Sequence, residues 1–378
     1  MQRTYDTIVI GVGGMGSAAV LAQAKRGERV LGIEQFQIPH EFGSSAGQTR
    51  IFRYAYFEHP SYVPLMRRAF ALWQELQRET DDTLFQLTGG LTLGPADGPI
   101  VAGALASVRT HTLTHEDLTG TEINRRFPGW RVPATFAGVV EPDAGFLFAD
   151  RCIVAHVAAA RRRGAEILTG TAVTNWSAAS DSVSVNTSRG TFSAARIIFT
   201  AGAWTGALLP ALAARSQPER RVVGWFRANP VEHFAPDRFP VFILEAEDGE
   251  PFYGFPDVAG TGFKIGSHVH AREPTAPSTI RRTIDAADEA IMRRAIRRYL
   301  PGANGAMADV KTCMYQMTRD EHFVIDHLPG HTNVVVATGF SGHGYKFCSA
   351  IGEAVGDLAV EGRARADLSL FSLARFAT

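Results

Sequence analysis

From Tyr5 to Glu34 the chain reads YDTIVIGVGGMGSAAVLAQAKRGERVLGIE, and this stretch constrains the fold more than any other. A short apolar run, a glycine turn, a helix of small residues and a second apolar run ending in an acid make a βαβ unit. Gly11 permits the tight turn, Gly13 lets the backbone approach a pyrophosphate, and Gly16 lets the helix lie close on the strand. The helix start offers N–H groups to phosphate. Glu34 is placed to accept hydrogen bonds from both ribose hydroxyls and disfavours a 2′-phosphate. The pattern predicts a dinucleotide site.

The chain is long enough for two packed cores: 378 residues, 45% hydrophobic and 20% charged. Lys plus Arg and Asp plus Glu both number 38, so no overall field favours nucleic acid or an anionic membrane. Cys152, Cys313 and Cys348 lack metal-ligand spacing and form an odd set. No metal site is expected, and a reducing, cytoplasmic location fits. The N-terminus has no basic-then-apolar leader, and no uncharged run suits a membrane span.

One phosphate fingerprint does not separate NAD from FAD, and the choice rests on later segments. DRCIVAHVAAARRRGAEILTG predicts a helix and a strand, and TAVTNWSAASDSVSVNTSRGTFSAARIIFTAGAW a meander of short strands closing on Ala201, Gly202 and Trp204. This is the build of FAD folds of the glutathione-reductase type; an NAD domain continues with βα units. HTNVVVATGFSGHGYKFCSAIGEAVGDLAVEG adds a last strand, a glycine loop and a helix beginning near Gly344. Its positive end suits an electron-rich ring, while a glycine turn capping a core helix is the plainer alternative.

Residues 81–145 and 216–318 carry polar turns and alternating runs such as PVFILEAEDGEPFYGF and predict an antiparallel sheet. In TIDAADEAIMRRAIRRYLPG, the residues Ile284, Ala287, Ile291 and Ala295 predict one apolar helix face, with the charges on a solvated surface. The expected fold class is α/β: a glutathione-reductase-type FAD-binding Rossmann domain from 1–80, 146–215 and 319–378, with an interleaved α+β antiparallel-sheet substrate domain from 81–145 and 216–318.

Five segments, GSSAGQTRIFRYAY, FYGFPD, FKIGSH, CMYQMTRDEHFVID and TGFSGHGYKF, resemble in this order the monomeric sarcosine oxidase and N-methyltryptophan oxidase family, which includes L-pipecolate oxidase. The resemblance runs from the first glycine turn to the closing FSLARF. It implies a monomeric flavoenzyme that oxidises a secondary amino acid by hydride transfer to FAD, giving an imine, and returns the electrons to O2 as hydrogen peroxide.

The resemblance also assigns residues. Cys313 becomes the covalent anchor of FAD, where its usage alone indicates only a buried thiol. Arg53 and Lys346 match the carboxylate binders, Lys264 the oxygen-activating lysine, and Tyr253, His268 and Tyr315 the pocket walls, with Tyr56 as a further wall. Cofactor contacts are expected at Gly14, Met15 and Gln35, at Ser44, Thr49 and Arg50, at Val173, and at Gly339, Gly342, His343, Gly344 and Lys346. Cys348 reads as a packed thiol.

The family's S-H-H-G-D-T-R loop departs here to Ser44-Ser45-Ala46-Gly47-Gln48-Thr49-Arg50, closer to the G-Q-S-R of pipecolate oxidase. Both histidines and the aspartate are gone, so Arg50 takes more of the work near the attachment edge. The altered loop leaves the covalent link and the amine open. Three alternatives stay open as well: an FAD dehydrogenase with another acceptor, a non-catalytic flavoprotein subunit, and an NAD dehydrogenase.

Overall fold

In the computed structural model, which describes residues 4–376, the first strand, Thr4–Ile10, runs between Val30–Ile33 and Gly190–Phe199, parallel to both. The sheet continues through the meander Val183–Thr187 and Val173–Ala178 on one side and Glu166–Leu168 on the other. Val334–Thr338 joins Gly190–Phe199 in parallel. Alternation splits the apolar residues between two faces. Val9, Ile198 and Val335 pack against the helices Gly14–Lys25, Tyr62–Thr80, Ala149–Arg162 and Cys348–Glu361, while Ile8, Ile10, Ile197 and Val336 pack under the meander.

The glycine turn is fixed by geometry. Gly11 has φ +86°, a left-handed conformation, and a Cβ on Gly16 would lie 1.7 Å from the Gly11 carbonyl oxygen. Gly16→Ala therefore forces the helix off the strand. Overpacking of this kind costs about 1–3 kcal/mol or more, and thermal melting with flavin content is expected to show a lower Tm and less retained cofactor.

A second sheet covers the carboxyl end of the first. Its order is Glu273–Pro274, Ser216–Phe226, Phe263–Ser267, Pro251–Phe255, Val241–Glu245, Gly90–Pro95, Phe136–Glu141 and Glu116–Thr119, with Met307–Thr318 also paired along Ser216–Phe226. The expectation of an antiparallel sheet needs one correction: Val241–Glu245 and Gly90–Pro95 pair in parallel. Hairpins within each chain segment are antiparallel, whereas this joint unites two segments far apart in sequence, where no short turn dictates direction. A small sheet of Thr49–Phe52, Gly145–Phe148 and Phe85–Leu87 carries the loop ahead of Arg53.

Between Glu273–Pro274 and Met307–Thr318 a helix spans Ala286–Tyr299 and starts on a capping box, with Asp285 and Asp288 reciprocally bonded. Its buried face is Asp288, Met292, Ala295, Ile296 and Tyr299; Ala287 is exposed and Ile291 half-buried. The face differs from the expected one because a charged residue is turned inward. Asp288 accepts from Arg220 Nη1 and Nη2 at 2.7 Å each and lies 2.9 Å from His270 Nε2, and the Arg220 side chain is 0% exposed. Burial alone would raise the Asp288 pKa, but the bonds from Arg220 and His270 hold it well below the usual carboxylate range. This stabilisation is complete above the unfolded value, about pH 4, and is lost as the pH falls through the depressed folded value. Asp288→Asn leaves Arg220 buried and poorly paired, and urea unfolding is expected to show a loss of about 3 kcal/mol.

Candidate active site

Two adjoining cavities open where the first sheet meets the second. The first runs from the glycine turn to the last glycine loop. Gly11, Gly13, Gly14 and Met15 line one end, and Glu34, Gln35 and Val173 border the same region. The Glu34 carboxylate is already oriented: Oε2 accepts from Val12 N at 2.8 Å and Oε1 from Phe36 N at 3.0 Å. Both oxygens keep lone pairs for hydroxyl donors. At Gly13 a Cβ would have only Ser45 Oγ within 4 Å, at 3.7 Å, so the missing side chain leaves open space against the backbone. Ala201, Gly202 and Trp204 form a side wall; Ser44, Arg50, Gly342 and Gly344 line the far end. An elongated space with an oriented acid and a side-chain-free helix start fits a dinucleotide cofactor.

Six expected cofactor residues do not line this first cavity: Gly16, Gly339, Thr49, His343, Cys313 and Lys346. Gly16 is packed on Gly11, and Gly339, at φ +63°, would place a Cβ 2.4 Å from Thr318 Cγ2, so a side chain there has no room beneath the strand Met307–Thr318. Thr49 and His343 border the second cavity instead of the first. Ser45, which the sequence did not single out, accepts from Gly14 N at 3.2 Å. The final helix begins at Cys348, after a tight turn over Tyr345–Phe347, rather than near Gly344; such tight turns commonly precede an α-helix. Cys348 is buried, with Sγ 2.9 Å from where a Gly14 Cβ would stand.

The second cavity, about 80 Å³, brings together Arg53, Lys346, Lys264, His268, Tyr253, Tyr315 and Cys313. Arg50, Tyr315, Gly342 and Tyr345 border both cavities. Gly342 has to be glycine, since a Cβ there would lie 2.2 Å from the Tyr315 ring. Tyr315 Oη and Tyr253 Oη are 3.2 Å apart, and the His268 ring packs 5.5 Å from that of Tyr315. Burial, reinforced by Arg221, Lys346 and Arg53 against the pull of Glu58, pushes His268 down to about 4. Its imidazole is neutral at ordinary pH. Tyr56, expected on the wall, stands behind it, fully buried, with its hydroxyl 3.3 Å from Lys346 Nζ.

Each cation has a distinct setting. Arg53 is 3% exposed; it donates through Nη2 to both oxygens of Glu58, at 2.7 and 2.9 Å, and through Nη1 to Ala55 O. Its Nε is buried without a partner. Burial would raise the Glu58 carboxyl, but Arg53, His343 and Lys346 hold it down to about 2. Glu58 escaped the sequence reading because one acid after RYAYF carries no pattern. Burial, Arg53 and Arg50 lower Lys346 to about 7 against Glu58 and Cys348.

Lys264 comes from the strand Phe263–Ser267 and donates to Thr49 Oγ1 at 2.9 Å, Thr49 O at 3.1 Å and Gly47 O at 2.5 Å. It sits 4.3 Å from the centre of the Phe255 ring and 5.1 Å from that of Trp225. Burial and then Arg50 push it well below the usual lysine value. Arg50 ties its own loop together through Thr49 O, Ser44 O and Ala46 O. Cys313 is buried in the strand Met307–Thr318; burial pushes its thiol up, opposed by Arg50, Arg221, Lys264 and Arg282.

A family model described as FAD dependent oxidoreductase matches residues 6–358. A monomeric sarcosine oxidase from Bacillus sp. (strain B-0618) is 41% identical over 99% of this chain and 97% of its own length. An N-methyl-L-tryptophan oxidase from Salmonella dublin is 37% identical over 98% of this chain and 99% of its own. Among solved structures, NikD, described as an unusual amino acid oxidase essential for nikkomycin biosynthesis, superposes with a TM-score of 0.85 at 25% identity, covering 98% of this chain and 97% of that one. The matching family model, the full-length relatives and a cavity shaped for a dinucleotide agree: the chain belongs to the FAD-dependent oxidoreductase family, of the monomeric sarcosine oxidase and N-methyltryptophan oxidase type.

Proposed function

We propose that this chain oxidises a secondary amino acid with a small side chain at a C–N bond, giving the imine, and that O2 takes the electrons and leaves as hydrogen peroxide. The observation that carries this reading is a pair of buried cations, Arg53 and Lys346, that both border the second cavity and each keep a donor without a partner. Arg53 Nε is buried without a partner. Lys346 uses two of its ammonium hydrogens on His343 O and Tyr56 Oη, which leaves the third. Two such cations beside one largely apolar cavity suit a carboxylate. Tyr253, Tyr315 and a neutral His268 enclose the remainder and exclude water without opposing a neutral amine. Bound FAD supplies the two-electron acceptor and passes the electrons to O2. Lys264 is the fixed cation for charge developing on oxygen.

The cavity of about 80 Å³ has room for roughly five to eight water-sized groups, which suits sarcosine or proline better than N-methyltryptophan. In a peroxide-release assay with sarcosine, L-proline, L-pipecolate and N-methyltryptophan, kcat/KM is expected to be at least about tenfold lower for the last, as for a steric mismatch of ~1.4 kcal/mol or more. The reverse order, or no peroxide from any of them, contradicts the proposal.

The division into cofactor and substrate domains at the boundaries expected from the sequence is part of this reading. Its support is that the large second sheet draws its strands from within 90–141 and 216–318. A monomer is supported by the name of the sarcosine oxidase relatives, and a reducing compartment by three buried free thiols.

Cys313 is read as the attachment point of the flavin. It borders the second cavity beside Arg50 and Tyr315, and four cations favour its thiolate. After acid precipitation the yellow colour is expected to stay in the protein pellet and to move to the supernatant in Cys313→Ser. Colour released from the parent protein contradicts the link.

A further inference from the structure

Behind Lys346 lies a chain of hydrogen bonds whose direction follows from its end. His343 Nε2 is 2.9 Å from Glu321 O. A carbonyl only accepts, so Nε2 carries the proton and Nδ1 is an acceptor. Tyr56 Oη, 2.7 Å from Nδ1 and 3.1 Å from His343 O, then donates to Nδ1, since the other choice sets two lone pairs against each other at the shorter distance. The phenol proton is thus spent away from Lys346, and the oxygen turns lone pairs to the ammonium 3.3 Å away. Both Tyr56 and His343 are buried, and burial pushes His343 down to about 3, which keeps Nδ1 free to accept.

We propose that His343 is a positioning residue: by orienting the Tyr56 hydroxyl, it keeps Lys346 an ammonium in an apolar pocket and thereby sets the upper pH limit of carboxylate binding. This rests on the carboxylate role proposed for Arg53 and Lys346. The other groups around Lys346 are Arg53, Arg50, Glu58, Cys348 and His268. Against burial, Glu58, Tyr56 and Glu141 raise Arg53 above the usual arginine value, so it keeps its charge. Glu58 is held down to about 2, Cys348 is pushed far up and His268 down to about 4, so none of these three changes charge near neutrality. Lys264 borders the same cavity but has its own acceptors on Gly47 and Thr49.

The test is the dissociation constant of acetate, an unreactive carboxylate, measured on the flavin-loaded enzyme by absorbance perturbation across pH 5 to 10. In the parent, binding is expected to weaken as the pH rises through the Lys346 ionisation. Tyr56→Phe removes an acceptor from a charged donor and is expected to lower that midpoint by about one pH unit, roughly tenfold in affinity above it. His343→Leu is expected to lower it by about half a unit, because the phenol proton turns to the carbonyl that Lys346 shares. His343→Asn, which can place an acceptor near the Nδ1 position, is expected to stay near the parent. Combining Tyr56→Phe with His343→Leu adds nothing beyond Tyr56→Phe if His343 acts through the phenol.

A midpoint unchanged in Tyr56→Phe, or additive shifts in the double variant, overturns the proposal. Should His343→Leu fail to fold, His343→Phe, which keeps a buried ring without the Nδ1 acceptor, takes its place: a lowered midpoint supports the proposal and an unchanged one overturns it. A parent enzyme whose acetate affinity does not change with pH defeats the carboxylate reading itself, a separate failure.

Discussion

Replacing Lys264 with methionine is expected to slow the reaction of reduced enzyme with O2 by about 10²–10³-fold, the usual effect of removing one fixed donor at a site of developing charge. Lys264 is 3% exposed and held by three oxygens from Gly47 and Thr49 between two aromatic rings. The ammonium therefore needs no reorganisation when the first electron reaches O2, and a low-dielectric setting strengthens its field. Methionine keeps the length and volume, so the packing stays near the parent's. Because burial and Arg50 push Lys264 well below the usual lysine value, the oxygen rate should decline as the pH rises through that lowered ionisation. Stopped-flow oxidation across pH reads both effects, and a rate within about threefold of the parent contradicts the role.

Arg53→Met should be the most damaging change to substrate binding. Truncating one partner of a buried charge pair costs about 2–5 kcal/mol, so kcat/KM is expected to fall at least 10²-fold, mainly through KM. The variant also strands Glu58, whose carboxyl is held down to about 2 chiefly by Arg53. Arg53→Lys keeps the charge but lacks the fork and the Nε–H, and should recover only part of the loss. Steady-state kinetics with sarcosine and acetate inhibition separate the two contributions: if Arg53→Met leaves both constants near the parent values, another residue binds the carboxylate.

What the sequence disclosed is what local backbone geometry dictates. Gly11 and Gly16 read correctly because a left-handed turn and a 1.7 Å approach admit no side chain, and Glu34 because its distance from the turn follows from one helix and one strand. The meander and the final strand were legible from two-residue alternation. Asp288 was not: an acid in the first turn of a charged helix looks solvated, and only Arg220 arriving from a distant strand buries it. The parallel joint between Gly90–Pro95 and Val241–Glu245 was hidden for the same reason, since pairing between remote segments leaves no periodic trace. Within the site, motif context brought seven residues to one cavity, while Glu58, Ser45 and the support of Lys346 by Tyr56 and His343 depend on contacts that no spacing encodes. At Gly339 the requirement for glycine comes from Thr318, whose Cγ2 would lie 2.4 Å from a Cβ there, a contact equally hidden from the sequence.

Anaerobic reduction tests the central claim most directly, because it needs neither O2 nor a coupled assay. Purified holoenzyme is mixed without oxygen with sarcosine or L-proline, and in parallel with dimethylamine or pyrrolidine, the same amines without the carboxylate. Rapid and complete bleaching of the flavin is expected with at least one of the amino acids, and bleaching slower by about 10²-fold or more with its decarboxylated counterpart, because two charged donors lose their partner. Equal rates for the two members of each pair, or no bleaching by any secondary amino acid, would contradict it.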